Sequence, residues 1–343
     1  MKTRFLGNSG LRVSTLSLGT MTFGGTEPAF AKMGNITGKE ADRFVGRAID
    51  AGINLFDTAD AYSAGESERV LGEAIKPYRD RALIATKAFA RMGDGPNNLG
   101  NSRHHLIKAC EASLRRLGTD HIDLYQVHGQ DLLTPVEETI AALDSLVTSG
   151  KVRYIGCSNH SGWFLMKSLA VADYRHTTRY VAQQIYYSLL AREAEHELIP
   201  LGLDQGVGVL VWSPLSGGLL SGKFRRERPD IDGSRTNELG PPGTIDRERL
   251  YAIVDVLDTI AAEHNANVAQ IVLAWTMTRP GVTSVIIGAR NEAQLEDNLR
   301  AAEIELSAEQ IACLNEVSDQ PQPYPYWHQR QYAGDRHPLI PAR

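Results

Sequence analysis

The chain has 343 residues, 42% of them hydrophobic and 22% charged, a composition that excludes a disordered, collagen-like or coiled-coil protein. With 36 Lys and Arg against 41 Asp and Glu the net charge is -5, and no basic run is interleaved with aromatic residues, which argues against a nucleic-acid partner. No apolar run approaches the roughly 18 residues of a spanning helix, and the start, MKTRFLGNSG, lacks the apolar core of a signal peptide, so a cytoplasmic protein with no membrane contact is expected.

At about 150 residues per domain the length suggests two domains, yet one α/β barrel fills the same length. The chain order decides between them. Residues 3–13, with the turn signal Gly7-Asn8-Ser9-Gly10, read as a β-hairpin suited to plug a barrel floor. A strand over 15–19 follows, then a helix over 41–51, where Phe44/Ala48 and Val45/Ile49 pair at i, i+4. Further strands are predicted at 53–57, 82–87, 122–128, 152–157, 180–183, 207–213 and 284–288. Helices are predicted between them at 67–77, 102–117, 135–149, 163–172, 191–203, 246–278 in two pieces, and 291–301. Eight such units make an α/β protein of the (β/α)8 TIM-barrel class, one domain over 1–343 with its barrel at about 15–318 and an extra C-terminal helix. Loops at 88–101 and 221–245 follow strands and so belong over the catalytic face. The tail 319–343 carries Tyr324, Tyr326, Trp327 and Tyr332 and reads as a cap on the pocket or a contact with a second subunit.

Cys110, Cys157 and Cys313 are an odd, widely spaced set that reads as three free buried thiols. His104 and His105 are adjacent rather than i, i+4, so no metal is expected.

In a barrel of this kind the reactive groups gather where strands end. Here the second strand ends in Asp57, followed by Tyr62; the third ends in Lys87, the fourth in His128, the fifth in Ser158-Asn159 and the sixth in Gln183. Singly, each has a plain structural reading: a helix cap, a surface amine, a core histidine, a packed loop tyrosine. Together they describe an acid. A phenol with a pKa near 10 is a poor proton donor at neutral pH, and a nearby ammonium favours its anion and lowers that value. Lys87 would tune Tyr62, Asp57 would aim Lys87, and His128 would donate to an oxygen in the pocket, which suits reduction of a carbonyl. None of these groups supplies electrons, so a hydride donor is required. A glycosidase would need two facing carboxylates, and only Asp57 ends a strand in this region.

Neither Gly-x-Gly-x-x-Gly nor Gly-x-x-x-x-Gly-Lys-Ser/Thr occurs, which disfavours a Rossmann dehydrogenase. Phosphate would then be held by late barrel loops: Ser213-Pro214-Leu215-Ser216-Gly217-Gly218 with Lys223, and Gly288-Ala289-Arg290 running into a helix with Gln294, Asp297 and Asn298.

Three segments in order, Gly52 to Tyr62 with Glu66 to Gly72 behind it, Gly150 to Asn159, and Ile287 to Arg290, resemble the aldo-keto reductase family over about residues 3–318. That resemblance implies a TIM barrel that binds NADPH (NADP+) without a Rossmann domain and reduces a small-molecule carbonyl substrate. It implies a catalytic tetrad of Asp57, Tyr62, Lys87 and His128, with Tyr62 as proton donor. It implies cofactor contacts from Gly19, Thr20 and Met21; from Ser158, Asn159 and Gln183 at the carboxamide; and from Trp212 stacked on the nicotinamide. Ser213, Pro214, Leu215, Gly217 and Lys223 fall at the pyrophosphate, while Gly288, Arg290, Gln294, Asp297 and Asn298 fall at the adenosine end, with Arg235 folding over it. Gly288-Ala289 stands where well-known animal members have Lys-Ser, and Trp212 where they have Tyr, so the chain looks more like the bacterial and potassium-channel β-subunit branches. Arg290 is then the group expected to grip a 2′-phosphate. The channel branch also supplies the second reading, a nucleotide-binding, redox-sensing regulatory subunit that acts on a protein partner.

Overall fold

Strands apolar at consecutive positions must be covered on both faces, which parallel sheets achieve by placing helices outside. The computed structural model describes residues 1–25, 32, 34–230, 240, 243 and 245–333. Strands β1 (Thr3–Phe5) and β2 (Arg12–Ser14) form the expected antiparallel hairpin. Eight parallel strands then close a barrel in chain order: β3 (Leu16–Gly19), β4 (Leu55–Asp57), β5 (Leu83–Ala88), β6 (Ile122–Val127), β7 (Val152–Ser158), β8 (Tyr180–Tyr186), β9 (Gly208–Trp212) and β10 (Val282–Ile287), with β10 pairing back onto β3. This is the (β/α)8 barrel expected from the strand count.

The helical layer runs α1 (Gly38–Asp50), α2 (Glu66–Ile75), α3 (Arg103–Leu117), α4 (Val136–Thr148), α5 (Gly162–Arg175), α6 (Leu198–Gln205), α7 (Arg247–Glu263), α8 (Val268–Thr278) and α9 (Glu292–Arg300). The extra helix α10 (Ala308–Val317) and a short α11 (Tyr326–Ala333) follow. Local sequence explains the starts. Ser102 and Asp246 accept backbone N–H groups at the starts of α3 and α7, and Asn267/Gln270 and Ser307/Gln310 form reciprocal capping boxes on α8 and α10. Helix α1 buries Ala41, Phe44, Val45, Ala48 and Ile49, the predicted stripe, and Phe44 meets Phe23 edge to face.

Inside the barrel, alternate residues point at the axis. At its floor Leu55, Ala85, Leu124, Ala182 and Leu210 pack with Leu6 and Val13 of the hairpin, so the hairpin is the plug. Gly7 makes this close approach feasible: it has φ +57°, and a Cβ there would lie 2.7 Å from the Gly208 nitrogen. Among the described residues no helix is long and apolar enough to cross a membrane.

Two expectations need correction. The helix predicted at 191–203 is a 3-10 turn, Glu193–Glu195, followed after a break by α6. Pro200 has no N–H, and its ring would clash with the His196 carbonyl in a continuous helix. Buried Arg192 is also held away from helical geometry, pairing with Glu195 at 2.9 Å and donating to the Asn315 carbonyl at 2.7 Å. Of the three cysteines, Cys110 and Cys157 are buried, but Cys313 is exposed, on a helix whose buried residue is Leu314. Part of the predicted 221–245 loop, with Arg235, lies outside the described residues, as does 334–343 of the tail. The described tail docks through Tyr326, stacked on His196 at 5.0 Å, while Tyr324, Trp327 and Tyr332 are exposed.

Candidate active site

Asp57 is the last residue of β4, Lys87 the last but one of β5, and His128 the first beyond β6, its N–H donating to the Ala88 carbonyl at 3.0 Å. Tyr62 comes from a 3-10 turn, Tyr62–Gly65, in which Ser63 (φ 48°) and Ala64 (φ 54°) take left-handed conformations that non-glycine residues rarely adopt. Strained backbone of this kind persists only where its surroundings over-determine it. Here the Asp60 N–H donates to the Lys87 carbonyl at 3.1 Å, and Ser63 Oγ accepts the Gly25 N–H at 3.0 Å.

Lys87 is fully buried, and its three ammonium protons have three acceptors: Asp57 Oδ1 at 2.6 Å, the Thr58 carbonyl at 2.7 Å and Tyr62 Oη at 3.4 Å. Burial opposes the Lys87 charge, but Asp57 and Tyr62 outweigh it and hold the pKa above the ordinary lysine value. A lysine that donates to the phenol oxygen leaves the phenol O–H to point elsewhere. The His128 ring stands edge-on to Tyr62, centroids 5.8 Å apart. Burial first, then the Lys87 charge, push His128 down to about 3, so its imidazole is neutral at pH 7.

This has a consequence for stability. Below 6.5, the ordinary histidine value, the unfolded chain takes up a proton that folded His128 refuses until about 3. The stability it contributes is therefore present above about 6.5 and lost as pH falls toward 3. The unfolding midpoint is expected to drop across that window more steeply for the wild type than for His128→Gln; parallel curves would contradict the assignment.

Around this group lie the other predicted residues. Thr20, just past β3, donates its N–H to the Asp57 carbonyl at 2.8 Å, and its hydroxyl lies 3.0 Å from Ser67 Oγ. Gly19 is crowded by an Ile286 methyl, and Met21 is half-buried. Asn159 (φ 56°) bridges the rim: its amide donates to the His128 carbonyl at 3.0 Å and accepts from Trp212 Nε1 at 3.1 Å. Trp212 stacks on Tyr186, centroids 4.9 Å apart. Ser158 is buried with its hydroxyl on the Gln184 carbonyl.

After β9 the chain turns tightly through Ser213, Ser216, Gly217 and Gly218, all at positive φ, with Ser213 Oγ accepting the Gly217 N–H at 3.0 Å. Pro214 is buried, Leu215 half-buried and Lys223 exposed. After β10, Gln294 accepts the Arg290 N–H at 2.9 Å, Asn298 donates to the Gly288 carbonyl at 3.1 Å, the Asp297 carbonyl accepts from Gln270, and the Arg290 side chain reaches the Lys32 carbonyl. A Cβ on Gly218 or Gly288 would meet nothing within 4 Å, so both turns border open space.

The family model of the aldo/keto reductases matches residues 15–319. The chain belongs to the aldo/keto reductase family. It is 39% identical over 328 residues to an uncharacterised oxidoreductase of Bacillus subtilis (strain 168), covering 92% of this chain and 96% of that one. It is 34% identical over 313 residues to a probable voltage-gated potassium channel β subunit of Arabidopsis thaliana, covering 89% and 92%, and 33% identical over 340 residues to versiconal hemiacetal acetate reductase of Aspergillus parasiticus, covering 91% and 95%. Membership in this family supports an oxidoreductase of small carbonyl compounds that uses a nicotinamide dinucleotide.

Within this aldo/keto reductase barrel one predicted residue is misplaced by a single position. Strand β8 runs on past Gln183 to Tyr186, and Gln183 faces outward: its amide donates to the Leu198 carbonyl at 2.6 Å and lies against Gly202 of α6. Gln184 has the inward parity shared with Ala182. Its Nε2 donates to Asp57 Oδ2 at 2.8 Å, joined from β6 by Gln126 Nε2 at 3.4 Å. Neither Gln184 nor Gln126 was singled out from the sequence. Counting back by twos from His128 reaches Gln126, and that period-2 step is the signal that could have found it. These amides fix the second carboxylate oxygen while Lys87 takes the first.

Proposed function

We propose that the protein is an NADPH-dependent reductase of aldehydes or ketones in which Tyr62 protonates the carbonyl oxygen. The observation that carries this reading is the three-way bonding of buried Lys87, which is held by Asp57 and the Thr58 carbonyl and donates its third proton to Tyr62 Oη, so that a fixed ammonium stands beside the phenol oxygen. When bound, the dinucleotide supplies the hydride. The donor set fits such a group. Asn159 and Trp212 edge the pocket beside His128. The positive-φ turn after β9 and the open Gly288 turn before α9 offer backbone at close range to phosphates, with Lys223 and Arg290 as exposed cations.

In the mechanism, neutral His128 donates a hydrogen bond to the carbonyl oxygen from its ring N–H, orienting it toward Tyr62. As negative charge grows on that oxygen, Tyr62 passes its proton across, and the adjacent ammonium of Lys87 stabilises the phenolate left behind. Asp57, held by Lys87, Gln184 and Gln126, keeps the lysine in place.

A test is NADPH consumption with 4-nitrobenzaldehyde or methylglyoxal; no turnover with a panel of aromatic, sugar-derived and steroid carbonyls would remove the reading. Arg290, the cation beside the α9 start, accounts for a preference for NADPH over NADH. Arg290→Ala is expected to raise the Michaelis constant for NADPH about tenfold or more, the weight of a charge-assisted bidentate phosphate contact, and to leave that for NADH nearly unchanged. Equal effects on both would contradict it.

The potassium-channel name of the Arabidopsis relative favours a second reading, a nucleotide-binding subunit acting on a protein partner. Steady turnover lost in Tyr62→Phe separates the two, since a sensor needs only to bind.

A further inference from the structure

Behind the wall that carries Tyr62, away from the barrel axis, lies a second set of buried ionisable groups that the proposed chemistry does not use. Glu68 of α2 is fully buried; its Oε1 accepts from the Thr86 hydroxyl at 2.5 Å and its Oε2 from Arg116 Nε at 2.6 Å. Arg116 of α3 also donates to Ser113 Oγ at 3.2 Å. The guanidinium is thus committed to Glu68. Asp60, two residues before Tyr62, is also fully buried, and among the described residues neither of its carboxyl oxygens has a hydrogen-bond partner. The Ala61 N–H is near enough to favour its charge slightly, without the geometry of a hydrogen bond.

The same cluster touches the far end of the Tyr62 turn. Gly65 closes that turn at φ +92°, and a Cβ there would lie 2.7 Å from Arg116 Cδ and 2.8 Å from its Nε. The turn is therefore bracketed, by Asp60 on one side and by Arg116 lying across Gly65 on the other.

We propose that Asp60 is a positioning residue for Tyr62: kept as an un-ionised acid, it leaves Arg116 on Glu68 and across Gly65, and so holds the turn that presents the Tyr62 hydroxyl to Lys87. A carboxylate at this place, beside a second buried carboxylate, would compete for Arg116 and displace the turn. The groups that face Asp60 are Glu68 from α2, Arg116 from α3, Lys87 from β5 and Tyr125 from β6. Burial and then Glu68 raise its pKa to about 8, against the pull of Arg116, Ala61 and Lys87. The folded value lies above the ordinary 3.8, so the stability linked to this proton is complete below about 4 and lost as pH rises through about 8.

This inference rests on Tyr62 as the acid, and two readouts separate the claims. First, kcat and the unfolding midpoint are followed from pH 4 to 9.5 in the wild type and in Asp60→Asn, a neutral isostere. Asp60→Asn is expected to keep kcat within about threefold at pH 7 and the KM for the carbonyl, to gain in unfolding midpoint over the wild type as pH rises, and to retain a larger fraction of its activity above pH 8. A tenfold loss of kcat at pH 7 that spares KM, or midpoints that run parallel, would overturn the proposal. Second, and independent of folding of any variant or of activity, carboxyl infrared spectra of the wild type labelled with 13C-aspartate should show a protonated aspartic acid at pH 7 that disappears above about pH 8. Absence of that band at pH 7 overturns the proposal, while its presence in a chain with no carbonyl turnover places the failure in the function of Tyr62 instead.

Discussion

Replacing Tyr62 with Phe is expected to lower kcat for an aldehyde by about 10²- to 10⁴-fold, the range a positioned general acid supplies. The substitution removes one oxygen and leaves the ring in its edge-on contact with His128. Binding of NADPH should be unaffected, because the phenol oxygen bonds to Lys87 rather than to the turns after β9 and β10. Stability should change little, since Tyr62 is only half-buried. Steady-state kinetics with a fluorescence titration of NADPH separate the effects, and a fall in affinity equal to the fall in kcat would show that the tyrosine binds rather than reacts.

The second large effect is expected of Lys87→Met, which fills the same length of pocket without the charge. Three acceptors lose their donor at once, and among the described residues Asp57, only 3% exposed, keeps as side-chain donors Gln184 and Gln126, neither of them charged. Breaking a buried pair by removing one partner costs about 3–5 kcal/mol, so this variant should unfold at clearly lower denaturant concentration. Its kcat should fall by about 10³-fold or more, because neither the phenol nor the phenolate left after transfer has a cation beside it. Denaturant curves and kinetics on the folded fraction check both effects. Asp57→Asn with Lys87 intact should be milder in stability, since the amide can still accept from the lysine. A Lys87→Met variant as stable and as active as the wild type would remove the ion pair from both roles.

Much of this site was legible because a closed parallel barrel converts sequence order into geometry. Most strand positions are buried, so the runs are largely apolar until the mouth, where Asp57, Lys87 and His128 stand out as polar residues near the run ends. The hairpin was legible for a similar reason: Gly7 to Gly10 marks a tight turn, and Leu6 and Val13 are apolar where a free hairpin would expose them. Residues that depend on register were not. The apolar run of β8 ends at two successive glutamines, and one step along a strand turns a side chain from the pocket to the helices, so Gln183 and Gln184 could not be told apart by position alone. The break before Pro200 was masked by an otherwise helical pattern, and Arg192 gave no sign that, besides nearby Glu195, it bonds the Asn315 carbonyl over a hundred positions away on α10. Asp60 sits in the same Asp57–Tyr62 segment, yet that its carboxyl oxygens find no hydrogen-bond partner among the described residues follows from where Arg116 goes, which only the packing of α2 against α3 determines.

The most direct test of the central claim follows the hydride and the proton in one experiment. The protein is incubated with 4-nitrobenzaldehyde and NADPH carrying deuterium at both nicotinamide C4 positions, and the alcohol is examined by NMR for the wild type and for Tyr62→Phe. The result predicted is one deuterium on the carbinol carbon with the wild type and at most about one hundredth of that rate with the variant. Alcohol without deuterium, or labelled alcohol formed equally fast by Tyr62→Phe, would contradict the assignment of this barrel as a carbonyl reductase with Tyr62 as its acid.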